Sequence, residues 1–274
     1  MQNKNFLMIG AAVLLLIAVS VGIWAYDFVL GEPEAASGPI TAVPLAVNTV
    51  TSAPQPIQSE ATAAQATAAL PQLSPEPTEG PVAEPTATRV AEAAAGLNIF
   101  EISQEQSEVR FSIFEELAGQ PKTVVGASNQ VAGQIAINLN DLSQTQVGVI
   151  QVNARTLLTN SNRRNNAIRN RILETDRYEF VTFTPKEIIG LSGSAQPGQS
   201  FTFQIAGDLT VRNITQPVMF EVTVQGESMS RITGSATTII KRADFNLVIP
   251  SVPDVANVGE EVTLEIDFVA EGAG

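Results

Sequence analysis

The stretch from Phe201 to Val224 reads FTFQIAGDLTVRNITQPVMFEVTV and alternates between apolar and polar residues in two runs. Such alternation is typical of strands with one apolar face and one solvent-facing side. Residues 212–216 interrupt the pattern, and Pro217 restarts it. Proline suits the first residue of a strand because it has no backbone donor. We therefore predict a β-hairpin with a loop longer than two residues, whose apolar face must be covered by the rest of the chain.

The same alternation recurs elsewhere in residues 98–274. It is found in residues 108–114, 130–139, 146–153, 178–183, 229–240 and 261–269. Together with the hairpin, these segments predict about eight strands with almost no helix between them. A parallel sheet would need helical crossovers, so the pattern favours an all-β antiparallel barrel or sandwich.

One basic segment, Ser161 to Arg177, does not follow the strand pattern. Ser161 or Asn162 can cap a helix. Ile168 and Ile172 are four residues apart, which gives a narrow apolar stripe on an otherwise arginine-rich helix. We predict a short helix lying across the strands or across an opening. Its arginines could bind an anionic head group or a membrane surface, or they could form a solvated face on a helix that simply plugs the barrel.

The composition excludes several kinds of chemistry. The chain has no cysteine and no histidine, so it has no disulfide framework and lacks the commonest metal ligand and general base. Its net charge of -13 disfavours nucleic acid as a partner. The adjacent carboxylates Glu115–Glu116 and Glu260–Glu261 would point to opposite faces of a strand, and we interpret them as surface charge. No catalytic motif is present. The sequence thus predicts no enzyme activity, no metal and no cofactor.

The N-terminal region predicts a membrane anchor. No charged residue occurs from Phe6 to Tyr26, and about 20 helical residues span about 30 Å, the thickness of a bilayer core. Lys4 precedes this run, so residues 1–5 are predicted to be cytoplasmic and the remainder extracytoplasmic, in a bacterial envelope the periplasmic side. The alternative is a cleaved signal peptide, but the apolar run is longer than is usual for one. We predict a single-pass transmembrane signal anchor at residues 6–26.

Residues 27–97 predict a disordered linker rich in proline, alanine and threonine. Large apolar side chains are too sparse there to offset the conformational entropy lost on folding. The linker would hold the domain at residues 98–274 away from the membrane, or it would be a spacer with no partner of its own.

Several motifs in this domain resemble the YceI-like family of lipid- and polyisoprenoid-binding proteins of bacterial envelopes. They are residues 125–135, 152–159, 163–168, 172–175, 201–224 and 238–245, and the GDLTVRNITQP run from Gly207 is the most specific of them. The resemblance implies an eight-stranded antiparallel, lipocalin-like barrel. It also implies that the barrel holds a long isoprenoid chain in an elongated lumen and is not an enzyme.

The resemblance makes the inward-facing side chains candidates for ligand contact. The predicted lumen lining consists of Val109, Phe111, Ile113, Ile135, Ile137, Phe180, Phe201, Phe203, Ile205, Leu209, Val218, Phe220, Val222, Leu264 and Ile266. These side chains could instead pack on one another as a dry core. Family members often carry histidine near the barrel mouth. Because this chain has none, Arg163, Arg164 and Arg169 are the candidates for head-group contact.

Two functions of different classes follow. The first is a membrane-tethered extracytoplasmic carrier or reservoir that binds an isoprenoid or similar long-chain amphiphile. Burial of each CH₂ group contributes about 0.8 kcal/mol, so a long chain can bind with few polar contacts. The alternative is a stalked structural or protein-interaction module, with a filled barrel and no lipid, which an exposed apolar patch on the outer face would favour.

Overall fold

The structure is a computed structural model that describes residues 34–45, 96–251 and 255–273. Thirteen strands of this part of the chain join in a single antiparallel sheet. The strands are β1 (Leu97–Ile102), β2 (Glu108–Leu117), β3 (Gln120–Ser128), β4 (Val131–Ala132), β5 (Gln134–Asn138), β6 (Gln146–Val147), β7 (Ile150–Asn153), β8 (Phe180–Ile189), β9 (Ser200–Val211), β10 (Ile214–Ser228), β11 (Arg231–Lys241), β12 (Val255–Ala256) and β13 (Glu261–Gly272). The all-β prediction is therefore confirmed.

The sheet curls so that its two ends meet. Strands β7 to β11 pair in chain order, and β11 pairs with β13. The two halves of β13 pair with β1 and β2, which follow each other along the same side. On their other side, β1 pairs with β5 and β2 pairs with β3. The short strands then connect the ends, because β4 pairs with β7 and β5 pairs with β6.

The predicted number of eight strands is wrong, because several long segments are divided. A 3₁₀ turn at Gln104–Gln106 separates β1 from β2. Breaks of one residue and of two residues separate β4 from β5 and β6 from β7. The sequence of β3 begins QPK and contains Gly126, so it lacks the alternation that marks the other strands.

The β9–β10 hairpin is tighter than predicted. Val211 pairs directly with Ile214, so the turn contains only Arg212 and Asn213. Arg212 takes the left-handed backbone conformation, with φ 57°. Pro217 lies inside β10 opposite Asp208, while the pairing of β10 with β11 begins only at Glu221. Proline is tolerated at this position because the ladder with β11 does not require its missing donor. The prediction of a long loop ending at Pro217 is therefore wrong.

The predicted basic helix is confirmed as a short element at one end of the sheet. Helix α1 (Asn162–Ala167) continues as a single π-helical turn over Ile168–Ile172. The Ser161 side chain caps it by accepting a hydrogen bond from the Arg164 backbone N–H at 3.4 Å. Strand β7 ends and β8 begins beside this helix. We call this end of the sheet, where β9 and β11 also end, the helix end, and the opposite end the loop end.

A segment of the predicted linker packs on the outside of the sheet. In residues 34–45, which we call the strap, Ile40 and Ala42 are buried against Ala132 and Phe180. The prediction of a linker without contacts does not hold for these residues, because the two apolar side chains find a matching surface on the sheet. The predicted transmembrane segment at residues 6–26 lies outside the described residues. Among the described residues, no helix has the length and apolar character needed to span a membrane.

Candidate binding cavity

The concave side of the sheet encloses an apolar cavity of about 370 Å³. Two clusters of buried side chains surround it. One contains Phe100 and Val131 and lies towards the loop end, and the other contains Leu209 and Phe245 and lies towards the helix end. The interior is thus divided between packed side chains and open space, and it is not a continuous dry core.

Most of the predicted lining residues surround this cavity. The structure places these residues on its wall: Val109, Phe111, Ile113, Ile135, Ile137, Phe201, Phe203, Ile205, Leu209, Phe220, Val222, Leu264 and Ile266. They come from β2, β5, β9, β10 and β13, so the alternation identified the inner face of each of these strands. Their contact with a ligand stays a prediction.

Phe180 and Val218 are not on the cavity wall. Phe180 packs on the outer side of the sheet against the strap residues Ile40 and Ala42. Its neighbour Phe183, which has the opposite parity, lines the cavity instead. Val218 packs at the margin of the helix-end cluster. The parity of β8 was misread because the predicted segment at residues 178–183 included only the first four residues of this strand.

Two glycines allow phenylalanine rings to lie flat against the wall. A Cβ atom on Gly126 would come within 2.2 Å of the Phe111 ring, which lies directly across the strand pair. A Cβ atom on Gly207 would come within 2.7 Å of the Phe183 ring. Each ring therefore occupies the space of a missing side chain, which leaves the centre of the lumen open. This packing gives a physical reason for the glycine that begins the GDLT motif.

An ion pair lies at the helix end of the cavity. The Arg164 Nη2 atom is 2.8 Å from Glu115 Oε1, and the side chain of Glu115 is only 8% exposed. Both residues line the cavity. The prediction that Glu115 is surface charge is therefore wrong. Glu115 shares the parity of Phe111 and Ile113, so the alternation of β2 could have placed it inside.

The three arginines predicted to contact a head group lie in different environments. Arg164 is the one on the cavity wall. Arg163 is exposed beside it. Arg169 donates to the Arg155 backbone oxygen and to Asn166, both at 3.3 Å, and is not part of the wall. Sequence reasoning missed Arg242, which lines the cavity and donates to the Gly259 carbonyl at 2.9 Å.

The loop end of the cavity is lined by neutral polar side chains beside apolar ones. Thr145, Gln196 and Ser228 line it. The Thr145 hydroxyl has no hydrogen-bond partner within the described part of the chain. The exposed Met229, at the turn between β10 and β11, forms part of the rim. The two ends of the cavity thus differ, with opposite charges at one and neutral polar groups at the other.

A family model described as the YceI-like domain matches residues 100–270. The chain therefore belongs to the YceI-like family, as its motifs predicted. No curated protein matches the chain.

Several solved structures are similar to this chain. One is a polyisoprenoid-binding domain from Saccharophagus degradans, 15% identical, with a TM-score of 0.50, covering 64% of this chain and 99% of that one. Another is BcnA of Burkholderia cenocepacia, 18% identical, with a TM-score of 0.48, covering 61% of this chain and 98% of that one. A YceI protein of Campylobacter jejuni is 15% identical, with a TM-score of 0.42, covering 53% and 82%.

Proposed function

We propose that the protein is a membrane-tethered extracytoplasmic carrier or reservoir that holds an isoprenoid or similar long-chain amphiphile in its cavity. Membership of the YceI-like family supports a lipid-binding role. The relative from Saccharophagus degradans is described as polyisoprenoid-binding. The proposal assigns no catalytic step to the protein.

The observation that carries this proposal is the apolar, elongated cavity. Its volume of about 370 Å³ falls within the range of about 300–1,000 Å³ that is usual for small-molecule sites. Its wall follows β9 from Phe201 to Val211, a distance of about 33 Å along an extended strand. A long, narrow, apolar space suits a hydrocarbon chain better than a compact polar substrate.

The energetics favour recognition of chain length. Each buried CH₂ group contributes about 0.8 kcal/mol, so ten of them contribute about 8 kcal/mol. Association costs about 4–15 kcal/mol in lost freedom of motion, so only a long chain gives a stable complex. The ion pair between Arg164 and Glu115 lies where a polar head group would reach the helix end.

We also infer that the sheet acts as an eight-position barrel. Strands β1 and β2 lie end to end along β13. In the same way, the three strands β3 to β5 lie end to end beside β2 and β1, and the two strands β6 and β7 lie end to end beside β5 and β4. Strand β12 shares a position with β13, because both pair with β2. Counting each of these groups as one position leaves eight positions. A barrel of eight strands is large enough to hold one small ligand.

The membrane attachment rests on the sequence. The uncharged run at residues 6–26 has the length of a bilayer core, and Lys4 before it favours an extracytoplasmic domain. Both the anchor and the location of the domain are proposals.

Lipid analysis of the purified protein tests the binding function. The protein is purified without detergent, extracted with organic solvent and analysed by mass spectrometry beside two tryptophan variants. Ala236 lines the cavity, whereas Thr237 next to it is exposed. We expect a long-chain lipid from the wild type and from Thr237→Trp, and at least a tenfold loss from Ala236→Trp. Equal lipid in both variants, or none in the wild type, would contradict the proposal.

A further inference from the structure

We propose that the helix end of the cavity faces the bilayer and docks on anionic lipid head groups, and that the strap holds it there. This inference rests on the membrane anchor proposed above. It replaces the idea of a domain held at a distance by a long tether.

The start of the strap is fixed at the helix end. The Glu34 backbone N–H donates to Asp176 Oδ1 at 3.0 Å, and the Glu34 carboxylate is 2.7 Å from Arg155 Nη2. Arg155 also donates to the Ala35 carbonyl at 3.0 Å. Arg155 precedes helix α1 and Asp176 follows its π-helical turn, so residue 34 lies beside this helix.

The strap then runs away from the helix end along the outer face of the sheet. Ser37 donates to Glu179 from both its backbone N–H, at 2.9 Å, and its hydroxyl, at 2.8 Å. Ile40 is buried, with 8% exposure. The Leu45 backbone N–H donates to Gln134 Oε1 at 2.9 Å. Contacts along its whole length therefore hold the strap, so its first residue is a fixed point.

The distance from the proposed anchor to that fixed point is short. Residues 27–33 separate the end of the apolar run from Glu34. A fully extended chain of this length reaches at most about 25–30 Å. The much longer stretch at residues 46–95 lies after the strap, so it connects the strap to β1 and does not set the distance from the membrane. The helix end must then lie within about 30 Å of the bilayer.

The side chains at the surface of the helix end suit a lipid surface, with Arg163 exposed and Arg171 half-buried. Arg163 and Arg171 form no ion pair within the described residues. Leu158 is 55% exposed and Val248 is 72% exposed. Arginine close to an anionic lipid surface contributes about 1 kcal/mol, and apolar side chains beside it can enter the head-group region. Because the net charge of the whole chain is -13, an anionic surface repels the protein as a whole, and attraction must come from this local group of side chains.

Docking in this orientation would connect the cavity with the bilayer. Leu173, Leu247 and Ile249 line the cavity at the helix end. Val248 lies between two of these residues and points outward. An amphiphile leaving the bilayer would therefore meet these apolar side chains, beside the Arg164–Glu115 ion pair, on its way into the cavity.

Fluorescence energy transfer tests the orientation in the full-length protein. The chain has no cysteine, so a single cysteine can be labelled at the helix end, as Asn162→Cys, or at the loop end, as Ser194→Cys. Both positions are exposed. The protein is reconstituted in vesicles of phosphatidylglycerol and phosphatidylcholine that carry a head-group acceptor. We expect at least twofold higher transfer from residue 162 than from residue 194.

Three further variants separate the possible causes. Ile40→Asp should release the strap and remove the difference between the two labels. Deletion of residues 56–85 should leave the difference unchanged, because that stretch does not set the distance. Arg163→Glu with Arg171→Glu should lower the transfer from residue 162. Equal transfer from both labels would overturn the orientation, and a difference that persists in Ile40→Asp would overturn the role of the strap in holding it.

Flotation of the same vesicles distinguishes failure of the anchor from failure of the orientation. Protein that does not float with the vesicles after a carbonate wash would overturn the anchor and the orientation together. Protein that floats but shows equal transfer from residues 162 and 194 would overturn the orientation alone.

Discussion

The β9–β10 hairpin is part of the sheet, whereas the strap packs on the outside of it, and the two are held in different ways. The hairpin is paired residue by residue from Ser200 to Gln225. The strap is held by two buried side chains and a few polar contacts. The hairpin therefore belongs to the cooperative core. The strap is an attachment that can be released while the cavity stays intact.

The largest difference is expected between two buried aliphatic residues. Leu209 is 3% exposed on the hairpin, and Ile40 is 8% exposed on the strap. Leu209→Ala should lower the free energy of unfolding by about 2–5 kcal/mol, as is usual for a core truncation. Ile40→Ala should lower it by less than about 1 kcal/mol while increasing cleavage within the strap. Urea unfolding and limited proteolysis measure the two effects, and equal losses of unfolding free energy would contradict the distinction.

The contrast also explains what the sequence could predict. The hairpin repeats with the period of a strand, so its inward side chains can be identified by parity. The strap lies in a proline-rich stretch without periodicity, and it contacts residues that lie 64–142 positions away in the sequence. Nothing local marks Ile40 as buried, because its burial depends on a surface formed by distant residues.

The residues that line the walls of the cavity could be predicted from the sequence, but those at its ends could not. The parity of β2, β5, β9 and β13 identified the lining side chains, and the motifs identified the family. The breaks that divide the strands depend on how the sheet curls, so the strand count was wrong. The inward position of Glu115 follows the parity of β2, but its ion pair with Arg164 and the position of Arg242 depend on how α1 and the loop before β13 cover the helix end. Such packing between distant segments leaves no periodic signal.

A smaller effect is expected where β3 uses glycine beside the cavity wall. Gly126→Ala places a Cβ atom within 2.2 Å of the Phe111 ring, so the ring must move towards the lumen. Overpacking of this kind costs about 1–3 kcal/mol. Adding Phe111→Leu should recover part of this loss, and a double-mutant cycle measures the coupling. Independent effects of the two substitutions would show that the ring does not occupy the space left by the glycine.

Removal of one arginine should affect the strap without affecting the wall. Arg155 is 9% exposed and contacts both Glu34 and Glu179. Arg155→Met should lower the protection of strap amides from hydrogen exchange by about tenfold, because hydrogen bonds to a charged group contribute about 1.5–3 kcal/mol. Arg177→Met is the control, because that side chain is 71% exposed. Equal loss of protection across β9 would show that the strap and the wall unfold together.

The smallest effect is a dependence on pH. Burial raises the pKa of Glu179, but hydrogen bonds from Ser37 and Asn153 and the charge of Arg155 outweigh it and bring the pKa below its ordinary value of 4.5. The carboxylate therefore stabilises the docked strap fully above about pH 4.5, and this contribution is lost as the pH falls through the lowered pKa. Strap protection should decrease in that acidic range. Glu179→Gln should be less protected at neutral pH and should show no such decrease.

Binding of prenyl alcohols of increasing chain length to delipidated protein tests whether a hydrocarbon chain occupies the lumen. We expect the dissociation constant to fall by about tenfold or more for each added isoprene unit, until the cavity is filled. We also expect Ala236→Trp to weaken binding at least tenfold and Thr237→Trp to leave it unchanged. An affinity independent of chain length, or equal for the two tryptophan variants, would contradict a hydrocarbon chain in the lumen.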